Sequence, residues 1–181
     1  MQKISVQELL DAYAAGRRDF RKVDLSQANL FECNLQDIDL RGSNLSQAYL
    51  PYANLSRANL ENALLDNAEL GNARLQSASL LNTDLNRATL FRANLCNCNL
   101  QRARLVGADL QQVDLRFSDL SFADLQGANL SSANLEQTIL ESANLAGSNF
   151  YRAQLVDFTN AQTDGTTIFP DGHRDNQDSD L

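Results

Sequence analysis

Residues 53–60 read Ala53-Asn54-Leu55-Ser56-Arg57-Ala58-Asn59-Leu60, two copies of a five-residue unit laid end to end. Working outward, every position divisible by five from Leu25 to Leu145 is leucine, and Phe20, Phe150 and Leu155 extend the register. No insertion or deletion interrupts it. Two residues before each centre stands most often alanine, otherwise Val, Ser, Thr or Cys; the larger Arg18 and Ile38 depart from that rule. The residue just before the centre is usually Asp or Asn, as in Asp24, Asn29, Asp109 and Asp124. Internal periodicity of this kind decides the fold before any local propensity does.

A period of five suits neither regular element. On an α-helix five residues advance about 140°, which scatters the leucines around the circumference. On a flat strand an odd step sends successive leucines to opposite faces. If each unit is instead a short extended side followed by a corner, the small residue and the leucine both point inward. The Asp or Asn between them points out, and the last two residues turn the corner. Asn, Asp, Ser and Gly are suited to such corners. Stacked coils would pair as parallel strands, roughly 4.8 Å apart. Three or four sides would both serve.

These units, from residue 18 to residue 157, resemble the pentapeptide-repeat family over about three-quarters of the chain. The resemblance implies an all-β solenoid, a right-handed quadrilateral β-helix with four sides per coil. Seven coils would make a rod of roughly 34 Å. Tyr13-Ala14-Ala15-Gly16-Arg17-Arg18-Asp19-Phe20 and the closing Pro170-Asp171-Gly172 are similar to segments of cyanobacterial members, one of which regulates heterocyst differentiation.

The ends of a solenoid need covering. Ser5-Val6-Gln7-Glu8 has the form of a capping box. Val6, Leu9, Leu10, Tyr13 and Ala14 then share one helical face, with Gly16 as the stop. The expected organisation is a capping helix in 1–17, the repeat in 18–157, a C-terminal cap in 158–172 and a disordered acidic tail in 173–181. Phe158, Ile168 and Phe169 are expected to cover the last coil.

The formal charge of −8 disfavours binding to nucleic acid or to a membrane surface. Met1 to Leu10 hold no long apolar run, so the expected location is cytoplasmic. His173 is the only histidine and falls in the expected tail. Cys33 and Cys98 stand at inward positions, and Cys96 faces out without a second ligand pair. The reading is therefore a non-enzymatic protein with no catalytic residue, cofactor or metal, monomeric, acting on an unidentified protein partner.

The outward positions that break the polar rule are the candidate contact residues. Phe31, Tyr49, Pro51, Tyr52, Phe91 and Tyr151 would share one side of a four-sided rod, and Phe117 and Phe122 occupy consecutive corners, side by side. Exposed aromatic clusters mark contact surfaces, whereas single exposed rings are ordinary. The Asp series, Asp109, Asp114, Asp119 and Asp124, is expected to support the backbone at corners.

Two functions follow. One is a rigid scaffold for a protein partner, with the regulatory flavour implied by the resemblance. The other is DNA mimicry: the resemblance also reaches proteins that imitate duplex DNA, bind DNA gyrase and confer quinolone resistance. Within 18–157, however, 16 Asp and Glu face 12 Lys and Arg. Arg74, Arg87, Arg92, Arg102, Arg104 and Arg116 add a basic belt that a DNA mimic should avoid. A C-terminal dimerisation helix, implied for gyrase-directed relatives, is missing.

Overall fold

The computed structural model describes residues 1–174. Backbone bridges join each residue before a centre to the residue 20 positions on, from Asp19↔Asp39 to Asn134↔Gln154, and every bridge is parallel. Twenty residues at five per side fix four sides per coil, and the regular stack runs for nearly seven coils. We name the sides by their first bridging residue: the Asp19, Asp24, Asn29 and Asn34 sides.

One unit shows why the consensus takes its form, because all five of its N–H groups are satisfied. Leu55 donates to the Arg74 carbonyl (2.7 Å), Arg57 to Gln76 (2.9 Å) and Asn59 back to Ile38 (2.9 Å), stitching three coils together. Ala58 donates to the Leu55 carbonyl at 3.0 Å and closes the corner. That leaves Ser56 N–H without a backbone acceptor, and the Asn54 Oδ1 takes it at 3.1 Å. An unpaired backbone donor is costly in a packed wall, so Asp or Asn before the centre completes the set. Asp109, Asp114, Asp119 and Asp124 do the same for Gln111, Arg116, Ser121 and Gln126. Their expected role as corner supports is thus seen directly.

The second corner residue is left-handed throughout, with φ between +54° and +61° at non-glycine residues from Lys22 to Arg152. Positive φ at the second central residue alone is the pattern of a type II turn.

The interior is a single column of centres. Leu25 to Leu145, with Phe20 and Phe150 at its ends, are all buried, as are the alanines two before them apart from half-buried Ala28. Buried Ser43, Thr83, Ser118 and Thr138 donate to the centre carbonyl 23 residues earlier. No buried side-chain polar atom among the described residues lacks a partner. Each fully buried leucine contributes about 1.5–3 kcal/mol.

At the start of the chain, α1 (Val6–Ala14) carries the capping box: Ser5 accepts from Glu8 N–H, and Glu8 accepts from Ser5 N–H. It stops in a Schellman motif, with Gly16 donating to Tyr13 and Arg17 to Ala12, and Gly16 at φ +95°. Leu9 is fully buried, with Val6, Leu10, Ala12 and Tyr13 beside it. Ala14, expected on this face, is exposed, and Ala12 takes its place. Ahead of the helix, β1 (Gln2–Lys3) pairs in parallel with β2 (Val23–Asp24) and covers the open edge of the first coil. Sequence reading did not anticipate that strand.

At the far end the register breaks earlier than expected. Leu155 is 67% exposed and left-handed, so it is no centre. The chain shortens by two residues, since Asn144 bridges to Gln162 rather than to residue 164. Phe158 meets Phe150 edge-on at 5.1 Å, and Phe169 meets Phe158 at the same distance. Phe169 to Gly172 form a turn. His173, expected in a disordered tail, belongs to this cap: its ring stacks on Phe169 at 4.5 Å and its carbonyl accepts from Phe169 N–H. Residues 175–181, the rest of that expected tail, lie outside the described residues. No helix of the described residues is long and apolar enough to cross a membrane.

Candidate interaction surface

Outward residues form ladders, because each corner position recurs one coil on at the same place. On the Asn29 side and its trailing corner, the first coils place Phe31, Tyr49, Pro51 and Tyr52 together. The Phe31 ring stacks on Tyr49 (centroids 6.0 Å, planes 17° apart) and meets Tyr52 edge-on at 6.0 Å. All three rings are exposed.

Phe91 and Tyr151 lie further along the same corner and are not part of that cluster. Each instead holds its neighbouring arginine over its ring, Arg92 at 4.9 Å and Arg152 at 5.0 Å. Phe117 and Phe122 are exposed at successive corners, with no ring contact between them. Phe122 lies under Arg102 at 5.9 Å. Sequence reading passed over Leu64 and Ile139, exposed apolar residues at positions where Asp or Asn is the rule. The broken consensus was the available signal.

Five arginines are paired within the wall. Arg21, Arg41 and Arg116 fold back onto Asp19, Asp39 and Asp114 two residues earlier. Arg57 and Arg104 reach Asp37 and Asp84 across one coil. Hydrogen bonds from Arg21 hold the Asp19 carboxyl down at about 2, and Arg116 similarly lowers Asp114. In the C-terminal cap, Thr166 and its backbone N–H hold Asp164 at about 2.

The thiols are quiet. Burial pushes Cys98 up to about 12, and its Sγ donates to the Leu75 carbonyl at 2.9 Å. Burial raises Cys33 and Cys96 as well. No group of three or more His, Cys, Asp or Glu among the described residues is placed to hold a metal ion.

A four-sided coil stack that displays ladders of outward side chains defines a repeat solenoid, a class built to present a surface. The family described as Pentapeptide repeats matches eight copies over residues 17–47, 53–90, 90–127 and 123–161, and the chain belongs to that family. Its members form right-handed quadrilateral β-helices, and the four-sided coil here is of that kind. Among solved structures, the chain is similar to HetL of the cyanobacterium Nostoc sp. strain PCC 7120, a protein involved in heterocyst differentiation regulation. The identity is 28%, with 94% of this chain and 99% of that one covered and a TM-score of 0.50. It is also similar in fold to QnrB1, a plasmid-mediated fluoroquinolone resistance protein, at 19% identity, with 83% and 80% covered and a TM-score of 0.70. No curated protein sequence matches it.

Proposed function

We propose that this protein is a rigid, non-enzymatic cytoplasmic scaffold that binds a protein partner in a regulatory role. The observation that carries the reading is the exposed cluster of Phe31, Tyr49 and Tyr52, whose rings pack on one another while the other exposed apolar residues stand singly. Packed but uncovered aromatic rings lose little conformational freedom on binding and are enriched at protein contacts. Similarity to HetL supports the regulatory part. DNA mimicry finds less support, because Asp19, Asp37, Asp39, Asp84 and Asp114 are neutralised by arginines of the same wall.

The test is capture from the source cytosol on immobilised protein, with mass spectrometry of the eluate. A reproducible partner retained by the wild type and lost by Phe31→Ala with Tyr52→Ala is the expected result. Loss on Phe117→Ala with Phe122→Ala instead would move the contact to those corners. Gyrase subunits as the main captured species would replace the scaffold reading with DNA mimicry.

A further inference from the structure

Gly71 breaks the rule its position sets. The corner glycines Gly42, Gly107, Gly127 and Gly147 stand at the second corner position with φ between +62° and +67°, where lacking a Cβ relieves strain. Gly71 stands at the first corner position and has no positive φ. A Cβ there would come no nearer than 3.8 Å to any neighbour, the Phe91 carbonyl oxygen. Neither backbone nor packing requires glycine. Tyr52, by contrast, puts a ring at φ +60°, where glycine or asparagine is less strained. This corner therefore does the reverse of what its backbone favours.

The effect is a notch. First-corner positions of successive coils read Phe31, Pro51, Gly71 and Phe91. Pro51 and Phe91 stand two coils apart, roughly 9–10 Å, and the first-corner residue between them, Gly71, has no side chain. The near wall continues through Tyr52 to Phe31 and Tyr49. The Tyr49 and Tyr52 hydroxyls have no partner among the described residues, and neither do the carboxylates of exposed Glu32 and Glu69. Of the nearby cations, Arg92 lies over the Phe91 ring and bonds to Gln112 one coil on, and Arg74 lines one concavity with Glu32, Tyr52 and Asn72, leaving Glu69 as the carboxylate without a cation beside it.

We infer that this notch receives a proline-rich, arginine-bearing segment of the partner protein, in extended polyproline II form; the inference rests on the protein-binding reading above. Such a segment makes no internal hydrogen bonds, so its carbonyls are free for the two tyrosyl hydroxyls, and aromatic-lined grooves are its usual receptors. At 3.1 Å per residue, prolines three apart recur at roughly 9.3 Å, close to two coil spacings. A chain lying along the rod then sets one proline in the Gly71 notch and the next over Phe31. Its arginine meets Glu69, a carboxylate the wall leaves unpaired two residues before Gly71.

The test uses the full chain and a fluorescein-labelled Arg-x-x-Pro-x-x-Pro peptide, followed by anisotropy. Saturable binding is expected, weakened at least about tenfold by Gly71→Leu and by Tyr52→Ala. It should vanish when the peptide prolines become alanine, weaken when its arginine becomes glutamate, and be untouched by Phe122→Ala. Melting of Gly71→Leu should match the wild type, since its Cβ has room. No saturable binding, or binding indifferent to Gly71→Leu, overturns the inference. A protein captured from cytosol equally by wild type and Gly71→Leu also overturns it, while leaving the scaffold reading in place.

Discussion

Tyr49 and Pro51 compensate one another across a single corner. In most units an Asp or Asn before the centre accepts the N–H two residues on, as Asn54 does for Ser56. Tyr49 has no side-chain acceptor directed at that point, and Pro51 has no N–H to offer. At this corner the aromatic ring leaves no donor unpaired, because proline has none; at Leu64 and Ile139 the residues two on, Asp66 and Glu141, keep theirs.

That pairing predicts non-additive energetics. Pro51→Ala creates a corner donor without an acceptor and should destabilise by about 0.5–1.5 kcal/mol. Adding Tyr49→Asn should recover most of the loss, whereas Tyr49→Asn alone restores no hydrogen bond. A double-mutant cycle of chemical denaturation measures the coupling; additive effects would show that the two positions are independent.

A second prediction concerns where the column of centres ends. Leu90 is fully buried, so Leu90→Ala should cost about 2–5 kcal/mol. Ala88→Phe, at the neighbouring inward position, should overpack the coil and destabilise by at least about 1–3 kcal/mol. Leu155→Ala, at a residue 67% exposed, should change stability by less than about 0.5 kcal/mol. Thermal melts of the three variants decide the boundary; a large loss at Leu155 would return it to the core.

These cases mark how far the sequence carried. The leucine period dictated inward and outward faces because only one backbone path buries every fifth residue together. It misplaced Leu155 because Ala153-Gln154-Leu155 satisfies the unit locally, while facing inward also needs a following coil to pack on. The strand β1 was illegible because Gln2 and Lys3 contribute only backbone bonds. Cluster membership was half legible: side and corner follow from residue number, so Phe31, Tyr49 and Tyr52 fell together. Whether Phe117 reaches Phe122 depends on side-chain direction, and whether Gly71 is required depends on φ, neither of which a five-residue pattern encodes.

Acid sensitivity should follow from the corner carboxylates. Asp19 and Asp164 sit at about 2 against an ordinary 3.8, held by hydrogen bonds from Arg21 and Thr166. Their contribution to stability is complete above 3.8 and is lost as pH falls through about 2. Melting temperature should therefore drop across that window. Asp164→Asn keeps an acceptor but cannot titrate, so its melting temperature should fall less steeply; an unchanged slope would assign the acid loss to other groups.

The thiols offer the last prediction. Cys98 is buried, held up at about 12 by desolvation, and engaged with the Leu75 carbonyl, so almost none of it is thiolate near neutral pH. Because the thiolate is the nucleophile, iodoacetamide at pH 8 should leave Cys98 unmodified in the native protein and label it on denaturation. Cys96, at the outward first corner position, should react first, and partly buried Cys33 more slowly. Peptide mapping of a labelling time course reads all three sites together. Native labelling of Cys98 at a rate matching Cys96 would mean that the coil around Leu75 and Leu95 opens on the timescale of the reaction.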